Sequence, residues 1–281
     1  MSKFVRMAGV TGFTGGMTLP VSRASLLNAG SLVSVEPSGW GSVPATSTPV
    51  TNLASVQCDA LVGADAGVLT FINEFTTPEG IVELSTKGGL HVIKKQAAGQ
   101  TVARFIRISM SSALRTYLAT NITHDLYLSW WGKRTRVGLS GSVLRYIAKV
   151  SGTATAQFAA GVGVDPISAP GYASPGVGAY RLGFTDHHDS DQYFLAVGST
   201  GASSDFGGTT HANVFLDGML TTGELAKSPS FLTWALYLED LTVSGNTFAA
   251  VEAIDKALYT AMVETAGGVY YGDTYTDPAT V

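Results

Sequence analysis

The chain has 281 residues, 45% of them hydrophobic and 14% charged, with 33 glycines and a formal net charge of −4. A chain of that size buries roughly three quarters of the surface its unfolded form exposes, and its apolar content excludes wholesale disorder. No apolar run reaches the roughly 18 residues that a membrane-spanning helix needs, and a single cysteine, Cys58, excludes an internal disulfide and a zinc site built on several thiolates.

At the start of the chain, Lys3 and Arg6 precede a stretch broken by glycines, MAGVTGFTGGMTLPV, with no compact apolar segment or small-residue cleavage site. No signal peptide is expected. Residues 24–58 carry one charge, Glu36, and the run PSGWGSVPATSTPVTN holds Pro37, Pro44 and Pro49. Proline fixes φ and removes donors, so residues 1–58 are expected to be an extended arm, ordered by packing on another subunit.

Beyond it the pattern predicts strands, with a helical turn over 112–119. Residues 125–131 (DLYLSWW) alternate Leu126, Leu128 and Trp130 against Tyr127, Ser129 and Trp131. Residues 179–185 direct Tyr180, Leu182 and Phe184 inward, and residues 192–197 do so with Tyr193, Leu195 and Val197. Residues 211–222 read as a hairpin turning at Asp217-Gly218, a pair suited to the positive φ of a type I′ turn. Residues 231–243 form a long strand, of a length that suits a central position. One helix follows over 247–262, with Phe248, Val251, Ile254, Leu258 and Met262 as its buried stripe and Glu252, Asp255, Lys256 and Tyr259 on the remainder. Ser244, Asn246 or Thr247 caps it, and Gly267-Gly268 lies past its end. The expected fold is mainly β: an antiparallel β-sandwich over 59–266 with one flanking C-terminal helix, behind the arm and before a tail over 267–281.

Charge is unevenly placed along the chain. Residues 87–149 carry +10, residues 150–281 carry −11 and the first 86 carry −3. Such blocks either interleave within one fold or lie on separate faces that attract neighbouring copies.

Few motifs carry chemistry. GLSGS at 138–142 lacks the second glycine of a nucleophile elbow, and no phosphate-binding glycine loop is complete. Cys58, in a Ser/Thr/Gln setting, reads as a small packed side chain rather than a nucleophile. DHHDSDQ is the one polar cluster: Asp186, His188, Asp189 and Asp191 are candidate metal ligands, set against a solvated hairpin loop as the simpler reading. Trp130 and Trp131 beside KRTR suggest nucleic acid, which the acidic balance and the missing fold signatures disfavour. Trp40, Trp131, Tyr172, Tyr270 and Tyr271 are candidate ligand-binding aromatics for stacking on sugar faces, each with core or interface as its alternative. Glu239 and Asp240 are adjacent on a predicted strand, so they point to opposite faces and cannot line one cleft as an acid/base pair.

The order LYLSWWGKRTR, NVFLDGMLTTG, WALYLEDLTV, then a helix, resembles the concanavalin A-like, laminin G-like jelly roll over residues 60–265. A Gly-rich, charge-poor chain with such a domain behind an arm looks like a virion protein of tailed bacteriophages. That resemblance implies a non-enzymatic structural protein, a capsid decoration or a tail or fibre component. Its partners would be other copies of itself and other virion proteins, it would need no cofactor and touch no membrane, and it would reside in the virion after synthesis in the host cytoplasm. The alternative is a lectin-like module that binds a host glycan for surface attachment. The family's calcium- and sugar-binding residues have no counterpart that can be placed on this sequence.

Overall fold

The computed structural model describes residues 22–76, 79–96, 106–139, 145–151, 158–168, 170–175, 179–200, 213–215 and 227–281. In chain order the strands are β1 (Ser31–Val35), β2 (Thr48–Val50), β3 (Leu69–Asn73), β4 (Gly80–Leu84), β5 (Leu90–Lys94), β6 (Ile106–Met110), β7 (Asp125–Arg136), β8 (Arg145–Ser151), β9 (Phe158–Val164), β10 (Gly171–Ser174), β11 (Arg181–Asp189), β12 (Gln192–Thr200), β13 (Asn213–Phe215) and β14 (Ser230–Asp240). The helices are α1 (Ser55–Val62), α2 (Ser112–Thr120), α3 (Leu241–Ser244) and α4 (Phe248–Tyr259). The protein is thus mainly β with a C-terminal helix, as its sequence pattern predicts, and all strand pairs are antiparallel. Among the described residues, no helix is long and apolar enough to cross a membrane.

A seven-stranded sheet runs β11-β12-β7-β14-β5-β4, with β1 also on β14. Smaller sheets run β13-β6-β3-β2 and β10-β9-β8. The long strand is central: along one edge β14 pairs with β7, and along the other its first residues pair with β5 and its last with β1. It is buried over its whole length. Alternation in β7 divides two cores. Leu126, Leu128 and Trp130 join a core shared with the small sheets, α1 and α2, whereas Tyr127 and Trp131 join one under α4 and the C-terminal segment. The large sheet is therefore the middle of three layers, which accounts for its near-continuous apolar strands.

Several local expectations need correction. Residues 1–21 lie outside the described residues, but residues 22–58 are no arm. β1 is buried throughout and paired with β14. The Asn52 amide ties the following loop down by accepting from Ser34 N at 2.8 Å and donating to Leu32 O at 3.1 Å and Gly67 O at 3.0 Å. The absence of charge over Ser31–Val35 reflects burial within the domain, and a boundary at 58 falls inside α1. The tail is also part of the domain, because Asp273 accepts from Ser85 Oγ at 2.6 Å, Lys87 N at 2.9 Å and Trp234 Nε1 at 2.9 Å.

The helix is in place, with the Thr247 hydroxyl accepting from Ala250 N, and of its expected stripe Val251 and Met262 are buried and Phe248 and Leu258 pack against the core, whereas Ile254 does not. Val251, Asp255 and Tyr259 face inward and Ile254 is 49% exposed. Asp255 takes the inward place expected of Ile254, because its carboxylate is drawn in by buried donors. On β11, Phe184 packs against the core, whereas Tyr180, before the strand, and Leu182 are exposed because this strand is an edge. Of the expected 211–222 hairpin, Asn213–Phe215 is a strand on β6, and its turn lies outside the described residues. The opposite charge blocks interleave, since β7 from the basic stretch lies between β12 and β14 from the acidic stretch, and Arg134 Nη2 meets Asp191 Oδ1 at 2.7 Å.

Candidate functional site

Strand alternation decides the fate of the polar cluster. Asp186 to Asp189 are the last residues of β11 rather than a loop, and the turn is confined to Ser190 and Asp191, with Ser190 at φ 53°. Successive side chains on a strand leave from opposite faces. Asp186 and His188 consequently share one face, where His188 Nδ1 lies 2.8 Å from Asp186 Oδ1 and Gly171 N donates to Asp186 Oδ2 at 2.9 Å. His187 projects to the other face and meets Glu264 there, Nε2 to Oε1 at 2.7 Å. Asp191 accepts from Arg134 Nε at 3.0 Å and Nη2 at 2.7 Å, while the same guanidinium donates to the Asp165 and Ser168 carbonyls. Of the four candidate ligands Asp186 and His188 pair with each other and Asp191 is held by Arg134, and among the described residues no group of three His, Cys, Asp or Glu is placed to hold a metal ion.

The candidate aromatics do not converge either. Trp40 is partly buried, edge-on to Phe71 at 5.8 Å, and Trp131 is fully buried with the Arg23 guanidinium 4.3 Å over its ring. Tyr172 meets Tyr146 edge-on at 5.2 Å. Tyr270 is buried, stacked on Trp234 at 6.0 Å, with its hydroxyl 3.0 Å from Ser38 Oγ. Tyr271 alone of the five is well exposed, at 46%.

Tyr271 and Asp189 do come together. They line a cleft of about 390 Å³ with Gln192, Val263, Glu264 and Gly272. The β11–β12 hairpin supplies Asp189 and Gln192, which are cross-strand partners. The opposite wall is a π-helical turn, Thr260–Glu264, closed by Thr265 N donating to Thr260 O at 2.9 Å. That widened turn ends α4 and directs Glu264 toward the hairpin. Glu264 is fixed at both oxygens, by His187 and by Thr260 Oγ1 at 2.8 Å. Beneath lies Tyr259, whose buried hydroxyl has no hydrogen-bond partner among the described residues. Burial first, and then the charges of Glu264 and Asp189, hold that phenol well above its ordinary pKa, so it keeps its proton. Gln192 and Glu264 escape sequence reading: one opens a strand and the other ends a helix, 72 residues away.

The other reactive groups are engaged inside the fold. Glu239 and Asp240 are fully buried on opposite faces of β14. Glu239 accepts from Tyr237 Oη at 2.7 Å and Asn246 Nδ2 at 3.0 Å, whereas Asp240 accepts from Tyr117 Oη at 2.7 Å and lies 2.7 Å from His124 Nδ1. Burial, with a smaller push from Asp59, raises the Cys58 thiol to about 12, the reverse of an activated nucleophile. The sequence matches no protein-family model, no curated protein and no solved structure.

Proposed function

We propose that the protein is a non-enzymatic structural component of a virion, a capsid decoration or a tail or fibre part, that works by assembling with copies of itself and with other virion proteins. The observation that carries this reading is an apolar patch beyond the end of β7. Val137 is 48% exposed, Leu139 47% and Ile167 53%. Their segments are held side by side, Gly138 N donating to Pro166 O and Leu139 N to Lys227 O at 2.9 Å. In a chain with so few charges, aliphatic side chains held rigidly in water are best accounted for by a partner that covers them. The internal engagement of Glu239, Asp240 and Cys58 supports a role without catalysis. The virion setting and the jelly-roll family rest on the sequence resemblance.

Light scattering coupled to size exclusion tests the reading. Wild-type protein is expected to self-associate as concentration rises, and Leu139→Asp combined with Ile167→Asp to remain a monomer with an unchanged circular dichroism spectrum. A wild-type protein that stays monomeric throughout the range, or a double variant that associates as before, refutes self-assembly through this patch.

A further inference from the structure

We propose that the cleft between the β11–β12 turn and the π-helical turn is a saccharide subsite, in which one sugar ring lies against Tyr271 and its hydroxyls bond to Asp189, Gln192 and Glu264. This goes beyond the assembly reading and does not depend on it. The cleft joins an exposed aromatic ring to carboxylate and amide groups within one concave space. A pyranose presents an apolar C–H face for the ring and a rim of hydroxyls that donate and accept at once.

The polar groups are prepared for such a ligand. Glu264 is held at both oxygens, yet each carboxylate oxygen keeps a further lone pair for an incoming hydroxyl. Asp189 is exposed and acts as a pure acceptor when ionised, whereas the Gln192 amide offers a donor and an acceptor beside it. The two carboxylates and the amide together offer both acceptors and a donor along one side of the cleft. A bare cation would satisfy the carboxylates but not the amide donors, and the described residues gather no three metal-ligating side chains. An amphoteric hydroxyl satisfies both kinds of group. Walls formed by a tight hairpin and a helix end are rigid, so little order is lost on binding.

Saturation-transfer NMR with the methyl α-glycosides of glucose, galactose and mannose, and with N-acetylglucosamine, tests the subsite. Spermidine serves as the cationic control. At least one sugar is expected to bind saturably, and Tyr271→Ala and Asp189→Asn are each expected to weaken it about tenfold or more while leaving the melting temperature unchanged. Both side chains are exposed, so neither change disturbs the core. The proposal is overturned if no sugar binds, if binding survives both substitutions, or if spermidine binds and the sugars do not. Failure here leaves the assembly reading standing, because that reading is measured by oligomeric state at a separate surface.

Discussion

Asp255 and Arg23, 232 residues apart, are both fully buried, and their charges meet at 2.9 Å between Asp255 Oδ1 and Arg23 Nη2. Tyr127 Oη at 2.9 Å and Ser129 Oγ donate to the other carboxylate oxygen, and Arg23 Nη2 also donates to Ser129 Oγ at 3.1 Å. Removing one member of such a pair strands the other charge without water. Asp255→Ala is expected to lower unfolding free energy by about 3–5 kcal/mol in urea titration, and pairing Arg23→Met with Asp255→Leu to cost less than Asp255→Ala alone. A second residue-scale effect concerns acid. Burial holds His91 below its ordinary 6.5 despite the opposing pull of Glu83, whose oxygen lies 2.9 Å from Nδ1. The unfolded chain therefore takes up the proton more readily, so this contribution to stability is complete above 6.5 and is lost as pH falls through the folded value. Glu83 acts in the same direction lower down: partial burial opposes it, but hydrogen bonds from His91 and Thr276 hold it below 4.5. Denaturation midpoints measured downward from neutrality are expected to decline first near the histidine range, and His91→Gln to flatten that first decline.

Docking of α4 depends on two glycines that face each other across the β11–β12 ladder. Gly183 and Gly198 are register partners, and the Phe248 ring lies on both. A Cβ at Gly198 would fall 2.6 Å from Phe248 Cδ2, and one at Gly183 would fall 2.3 Å from Cδ1. Gly198→Val is expected to push the ring and the first turn of α4 outward, destabilising the protein by about 1–3 kcal/mol and raising amide exchange across residues 248–252. Element by element, the sequence was legible where one periodicity dominates. β7, β12, β14, α2 and α4 lie close to where alternation or helical spacing puts them. It was misleading where a tertiary partner overrides the local pattern. A short apolar strand ahead of three prolines reads as an arm until β14 is there to receive it, and Ile254 rather than Asp255 reads as the buried residue of α4 because Arg23 is remote in sequence. The cleft was half legible. Asp189 and Tyr271 carry recognisable chemistry, but nothing local signals that a hairpin end and a helix end meet.

At the scale of the whole molecule, the oppositely charged halves of the sequence do not become opposite faces. Arg134 pairs with Asp191, His124 with Asp240, and Arg136 feels Asp277, each joining the basic stretch to the acidic one inside a single body. In the assembly we propose, recognition between copies falls to apolar contact such as the Val137, Leu139 and Ile167 patch rather than to long-range attraction.

The position of β14 in both space and sequence bears on how the chain is made. This strand is the shared neighbour of β1, β5 and β7, yet it leaves the ribosome after all three of them. Until residue 240 has emerged, three earlier strands have an unfilled edge, and the layer under α4 has no Asp255 to neutralise Arg23. Vectorial synthesis thus cannot complete the middle layer in stages, and the nascent polypeptide depends on escaping edge-to-edge aggregation until β14 emerges. A premature stop anywhere upstream of β14 removes the partner on which the N-terminal strands converge, leaving a product for proteolysis rather than a smaller working domain.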